Sequence, residues 1–297
     1  MFKAYYMRGV LLFVAFLSGL VLQPSPTHAQ SAEGSGKGLI WYESAMGSSS
    51  SLGTVTRLDS TLGYNFNNHF GVDLGAPILF VHASPTATTG SQSASGIGDA
   101  YTDLRFTFRN PLVNFVSTVR GTAPTGSTKN GFSSGRATAD WSNHFDRTFG
   151  RVTPFADLGI ANAVPDTAYF VRPYTTLGFT SHFQGGAALN IWRLLNFRAS
   201  AYAIEPSGQQ KVFSKLLHSQ SSPPGATSHG RVFQGAPETT GPADIARDHG
   251  FSLGFDTSAF HLVDLAVGYT RSVSLSLNTL YFGIGFNLAR YLRSSSY

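Results

Sequence analysis

The chain has 297 residues, of which only 12% are Asp, Glu, Lys or Arg while 13% are aromatic, with 32 Gly, 24 Phe and no Cys. Soluble domains carry roughly 25% charge, so this balance argues for a sheet whose outer face meets lipid and against a solenoid of helices; the missing Cys excludes disulfide frameworks, thiolate-held cofactors and a lipid-modified N-terminal cysteine. The formal charge of +5 comes from scattered Lys and Arg and lacks the clustered basic footprint of a nucleic-acid binder.

Residues 1–29 read as a cleaved signal peptide: Lys3 and Arg8 come first, the apolar run GVLLFVAFLSGLVL follows, and Thr27-His28-Ala29 supplies small residues for cleavage. That run is shorter than the ~20 residues of a spanning helix, and no later stretch approaches that length, so strands must hold the chain in any membrane. Residues 30–38 are small and polar, and are expected to form a flexible arm.

From Leu39 the chain breaks into segments of about ten to fifteen residues, the length of tilted membrane strands. The clearest is 99–109, where Ala100, Thr102, Leu104, Phe106 and Phe108 fall on one face and Asp99, Tyr101, Asp103, Arg105, Thr107 and Arg109 on the other. Tight connections are predicted at 67–68, 110–111, 147–150, 193–194 and 260–261. Loose ones rich in Gly, Ser, Thr or Pro are predicted at 47–52, 84–95, 125–134, 163–171 and 205–248. Short and long connections interleave, as they do in up-and-down outer-membrane barrels, whereas a Greek-key sandwich has no reason to keep that order.

The alternation continues downstream. Phe115 and Val119 oppose Asn114, Thr118 and Arg120; Ala139 and Trp141 oppose Thr138, Asp140 and Ser142; Leu158 and Ile160 oppose Asp157. Phe179, Phe183 and Leu189 oppose His182 and Gln184, Arg198 and Tyr202 share a polar face, Phe251, Leu253 and Phe255 oppose Asp256, and Leu265 and Val267 oppose Asp264. No charged side chain is expected on an apolar face, an exclusion that lipid explains because an outward Lys or Arg at mid-bilayer costs about 2 to 4 kcal/mol. The last segment places Leu280, Phe282, Ile284 and Phe286 opposite Tyr281, Gly283 and Gly285. With terminal Tyr297 it resembles the C-terminal signal read by the barrel-assembly machinery, displaced because nine residues follow Leu288.

The expectation is an all-β fold: one transmembrane up-and-down antiparallel β-barrel over residues 39–297, with about 12 strands, in the bacterial outer membrane and surrounded by its lipid. Ten or fourteen strands also fit, because the first segment is weakly patterned and Gly185-Gly186 is either a bend or a break. Asp99, Asp103, Arg105, Arg120, Asp140, Asp157, His182, Arg198, Asp256 and Asp264 have lumen parity. They either line a selective pore, where opposed acids and bases orient a polar solute, or pair across a narrow lumen and plug it.

Neither enzyme chemistry, a metal nor another cofactor is expected. Asp99 and Asp103 stand about 13 Å apart on one strand, too far for a paired acid and base. His182 is a lone lumen imidazole where a metal wants several convergent ligands, and the loop residues His218 and His229 have no motif spacing. With His144 and His182 facing inward, a hydrolase acting on lipid would lack its base. The Gly-rich stretch 121–131 is like a phosphate loop in composition only, since no helix follows it. Residues 205–248, with Pro206, Pro223, Pro224, Pro237 and Pro242, are expected to form a long external loop whose Val212, Phe213, Leu216 and Leu217 fold inward as a constriction or outward as a lid.

Three segments carry a family resemblance: GIGD-x-x-x-x-L-R-F from Gly96, VRGTAPTG from Val119, and residues 183–186 leading to ASAYAIEPSGQQ from Ala199. Across residues 59–288 the chain resembles the outer-membrane family associated with phenol meta-pathway degradation, whose members are described as transporters; its segment 205–248 is longer than that family's pattern. The resemblance implies a small barrel that passes small aromatic or hydrophobic solutes, and it brings no catalytic residues. The alternative from another class is a plugged, non-conducting barrel that meets partners through its external loops.

Overall fold

The computed structural model describes residues 37–85, 91–164, 166, 171–192, 194–216, 238–259 and 263–289. The signal peptide, the arm up to residue 36, His218, His229, Leu217 and Tyr297 lie outside the described residues, as do parts of the 193–194 and 260–261 connections. The strands are β1 (Gly38–Ser50), β2 (Gly53–Asn65), β3 (Phe70–Ala83), β4 (Gln92–Ile97), β5 (Ala100–Arg109), β6 (Asn114–Ala123), β7 (Thr138–Asp146) and β8 (Val152–Val164). They continue with β9 (Tyr174–Trp192), β10 (Leu195–Pro206), β11 (Gln210–Ser214), β12 (Glu238–Gly241), β13 (Asp248–Ala259), β14 (Val263–Ser272) and β15 (Leu277–Asn287).

Every pairing between them is antiparallel. Twelve of these strands make a closed barrel, in which β1 pairs with β15 from Tyr42↔Asn287 to Ser50↔Thr279 and the circuit returns through β9–β10–β13. Of the others, β4 pairs with β3, while β11 extends the sheet from the start of β9 and β12 pairs with β11. Closure matters physically because in hydrocarbon no water can satisfy an open sheet edge.

The period of two decides which side chains meet lipid. On β3 the burial pattern alternates from Pro77 onward, so that Ile78 and Phe80 lie outward while Leu79 and Val81 are buried inside. Trp41 and Trp141 are exposed on the outer face, and the third Trp, Trp192, is exposed at the last residue of β9. The outer face is less pure than expected: toward the external ends of their strands, Glu205 of β10 shares the outward parity of Ala201 and Ala203, and Arg271 of β14 that of Val267 and Tyr269. Glu43 on β1 shares the outward parity of Leu39 and Trp41, and its carboxylate accepts hydrogen bonds from Trp41 Nε1 (2.8 Å) and Ser60 Oγ (2.5 Å). The weakly patterned first segment hid it, and these two donors provide partners that lipid cannot.

Three sequence readings of the connections change. The predicted loose stretch 84–95 ends in strand, because β4 begins at Gln92 and pairs with β3. Residues 47–52 are not a loose loop, because β1 runs on to Ser50 and only Ser51 and Leu52 turn the chain. Serines and glycine have poor strand propensity, but a ladder on both sides, to β2 and β15, overrides it. Within 205–248, β11 and β12 lengthen the sheet beyond the barrel's rim and a 3-10 turn covers Ala243–Ile245, so this connection is not wholly irregular. Gly185-Gly186 breaks nothing: β9 is one strand of 19 residues, paired through both glycines to β8 and β10.

Inward glycines make room for neighbouring rings. Gly285 lies under the Tyr42 hydroxyl, Gly75 under the Tyr101 ring and Gly159 under the His182 ring, so a Cβ at any of the three would collide with a side chain already there. At the end of the barrel that carries the long connections, the external end in barrels of this class, the interior holds an apolar cluster. Leu52, Val55 and Val81 of the wall pack there with Phe132 of the β6–β7 connection, Val171 ahead of β9 and Leu216 after β11. The long connections therefore fold inward.

Candidate functional site

Below that apolar layer the interior is built from ion pairs set by strand register. Asp73, Asp103, Arg120 and Asp140 are successive partners across β3, β5, β6 and β7. Arg120 resolves its position between two acids by turning to Asp103, with Nε to Oδ1 at 2.7 Å and Nη2 to Oδ2 at 2.8 Å, and lies over the Tyr101 ring 4.0 Å from its centroid. Arg105 turns to Asp73, with Nε to Oδ2 at 3.1 Å and Nη2 to Oδ1 at 3.2 Å, and Nη2 also donates to Asn65 Oδ1. Arg198 donates to Asp256 at 3.2 Å, an acid that also accepts from Asn196. Two-pronged guanidinium pairs of this kind fix geometry as well as charge.

The wall made by β7, β8 and β9 is different. Asp140 lies 3.2 Å from His182 Nε2, and Asp157 lies 2.7 Å from His144 Nδ1, with Asp146 3.5 Å from His144 Nε2. Asp264 accepts from the Tyr42 hydroxyl at 3.3 Å. Asp99 stands at the kink between β4 and β5, where its carboxylate accepts from the Gly126 backbone N–H at 3.1 Å and so ties down the β6–β7 connection.

A cavity of about 370 Å³ occupies the lumen. Of the residues with lumen parity in the sequence, Asp99, Arg120, Asp140, Asp157 and His182 border it; Asp103, Arg105, Arg198, Asp256 and Asp264 do not, and sit against the wall in the contacts just described. Others that border it are Tyr42, Arg57, Asp59, Asp166 and Lys215. Arg57 and Asp59 were legible as a same-face pair in the sequence TVTRLDSTL, and Asp73 as the inward residue of GVDLG. Asp248 shares the parity of Asp256 on β13; Arg172 and Lys215 carry no such signal, because their placement follows from segments that fold back into the barrel.

Those segments are tied by buried charge. Arg172, whose side chain is 1% exposed, donates to Asp248 Oδ2 at 2.9 Å and to the Tyr174 hydroxyl at 2.7 Å, while Tyr202 and Ser272 donate to the same Asp248 carboxylate. Asp166 spans Arg57 of β2 at 3.6 Å and Lys215 at 3.5 Å. Burial pushes the Asp166 carboxyl up, but the Lys215 and Arg57 cations outweigh it and hold the group below its ordinary range. Burial likewise pushes the Lys215 ammonium down, and Asp166 offsets only part of that.

No family model matches the chain, and no curated protein sequence matches it. Among solved structures it is similar to an outer membrane channel from Pseudomonas putida F1, with a TM-score of 0.51 at 12% identity, covering 85% of this chain and 96% of that one. It is also similar to the NanC porin (TM-score 0.48, 8% identity, 83% and 99% covered) and to the KdgM porin in complex with disordered oligogalacturonate (TM-score 0.47, 7% identity, 83% and 98% covered). At such identities the likeness is one of fold. With a closed circuit of strands and an apolar outer belt, the chain is an outer-membrane β-barrel.

Proposed function

We propose that this barrel is a passive channel for small solutes, aromatic ones among them, with its narrowest part at the external end where the long connections pack inward. The observation that carries the reading is the cavity of about 370 Å³ in the lumen, where Tyr42, Arg120, Asp140 and His182 share the lining with apolar side chains such as Leu79, Phe132 and Val171. A twelve-stranded barrel is wider than the eight-stranded kind that side chains fill and narrower than an open porin, so single-ring solutes are the size that such a space admits. The aromatic preference comes from the resemblance of the 96–106, 119–126 and 199–210 segments to phenol meta-pathway barrels; no family model supports that assignment.

A second reading has its own support. Val171, Arg172 and Leu216 are fully buried inside the external mouth, which suits a plugged barrel that conducts nothing and acts through its loops. Liposome swelling separates the two. Refolded, heat-modifiable protein is compared with protein-free liposomes in phenol-sized aromatics and in small sugars, with Asp140→Ala alongside. Swelling that is faster in the aromatics and altered by the substitution supports the channel; a folded barrel that gives no flux supports the plug.

A further inference from the structure

We infer that the conduit favours cations over anions, although the chain as a whole is basic; this rests on the channel reading above. The cations that the barrel strands turn inward above the periplasmic rim are each answered by an acid. Arg57 is held by Asp59, Arg105 by Asp73, Arg120 by Asp103 and Arg198 by Asp256. Behind the external mouth, Arg172 faces Asp248, and Lys215 faces Asp166. Each guanidinium is permanently charged, so these pairs are locked and cancel one another in the field along the lumen.

The β7–β8–β9 wall is left over. Its inward carboxylates are Asp140, Asp146 and Asp157, and the basic groups in ion-pair contact with them among the described residues are the imidazoles of His144 and His182. These strands turn no Lys or Arg inward. Three carboxylates against two imidazoles keep the wall negative in either state of the rings; Arg109, at the periplasmic end of β5, acts on Asp146 from the rim. Asp140 and Asp157 both border the central cavity, where low-dielectric walls focus the field of unbalanced charge.

The basic excess of the chain sits elsewhere. Lys129, Arg136 and Arg151 are exposed on connections outside the barrel strands, where salt screens them within about 10 Å at 0.1 M. Formal charge and lumen charge therefore have opposite sign, and a permeating solute meets the latter.

The test is the reversal potential of the purified full barrel in a planar bilayer, with potassium chloride at a tenfold gradient and low ionic strength. Potassium is expected to permeate several-fold more readily than chloride, and the double substitution Asp140→Asn with Asp157→Asn is expected to bring the ratio to near one. A wild-type ratio at or below one overturns the inference by itself, whether or not the double variant folds, and so does a folded double variant that keeps the full preference. Conductance with chloride preferred would overturn only this inference, whereas no conductance from a folded barrel would overturn the channel reading along with it.

Discussion

Replacing Arg105 with Ala should destabilise the barrel by about 3 kcal/mol, the low end of the ~3 to 5 kcal/mol that follows when one partner of a buried ion pair is removed. Arg105 and Asp73 have side chains only 2% exposed, and the two prongs to Asp73 plus the bond to Asn65 leave three oxygen contacts unmet once the guanidinium is gone. Replacing both partners, Arg105→Met with Asp73→Val, removes the stranded charge and should cost only about 1 kcal/mol, chiefly for the unpaired Asn65 oxygen. The difference makes a coupling of roughly 2 kcal/mol or more, well above the ~0.5 kcal/mol scatter for independent sites. The assay is guanidinium unfolding from liposomes followed by tryptophan emission, since Trp41 and Trp141 lie on the outer face and lose their lipid surroundings together. A loss below about 1 kcal/mol for Arg105→Ala would mean that water reaches this pair, and the account of a dry, locked wall would be wrong.

Two further expectations use charges elsewhere. Asp166 is held below the ordinary carboxylate range, so its folded value lies beneath its unfolded one and the stability it adds is complete above the unfolded value near ~3.9 and lost as pH falls through the lower folded one. The inward-folded connections should therefore loosen only in acid below about pH 4, read as protease cutting of the intact barrel at pH 3 against pH 6; Asp166→Asn should shrink the difference between the two, and an unchanged difference counts against the Asp166 bridge to Arg57 and Lys215. Glu43→Leu should stabilise the barrel by about 1 kcal/mol, because an outward acid costs less than the ~2 to 4 kcal/mol of an outward base and its bonds to Trp41 and Ser60 recover part of that. A destabilised variant in the same unfolding assay would show that those two bonds outweigh the cost of facing lipid.

What the sequence determined alone is the sidedness of the wall. Alternation is a local property, because successive Cβ atoms of a strand point to opposite faces whatever the strand pairs with. Leu104 and Phe108 against Asp103 and Arg105, or Val267 against Asp264, are therefore legible before any contact is known, and so is a barrel of about twelve strands. The outward acid Glu43 escaped because its segment, GLIWYESAMGSSS, alternates poorly and its partner Ser60 lies on the next strand. Tertiary structure alone decided which charges cancel: Arg120 has an acid across from it on both sides, and only side-chain packing turns it to Asp103 and leaves Asp140 to His182. It also decided that the long connections pack into the mouth, through contacts such as Arg172 to Asp248, 76 positions apart. No local period encodes such a contact, because its energy depends on burial that exists only once the barrel has closed around it.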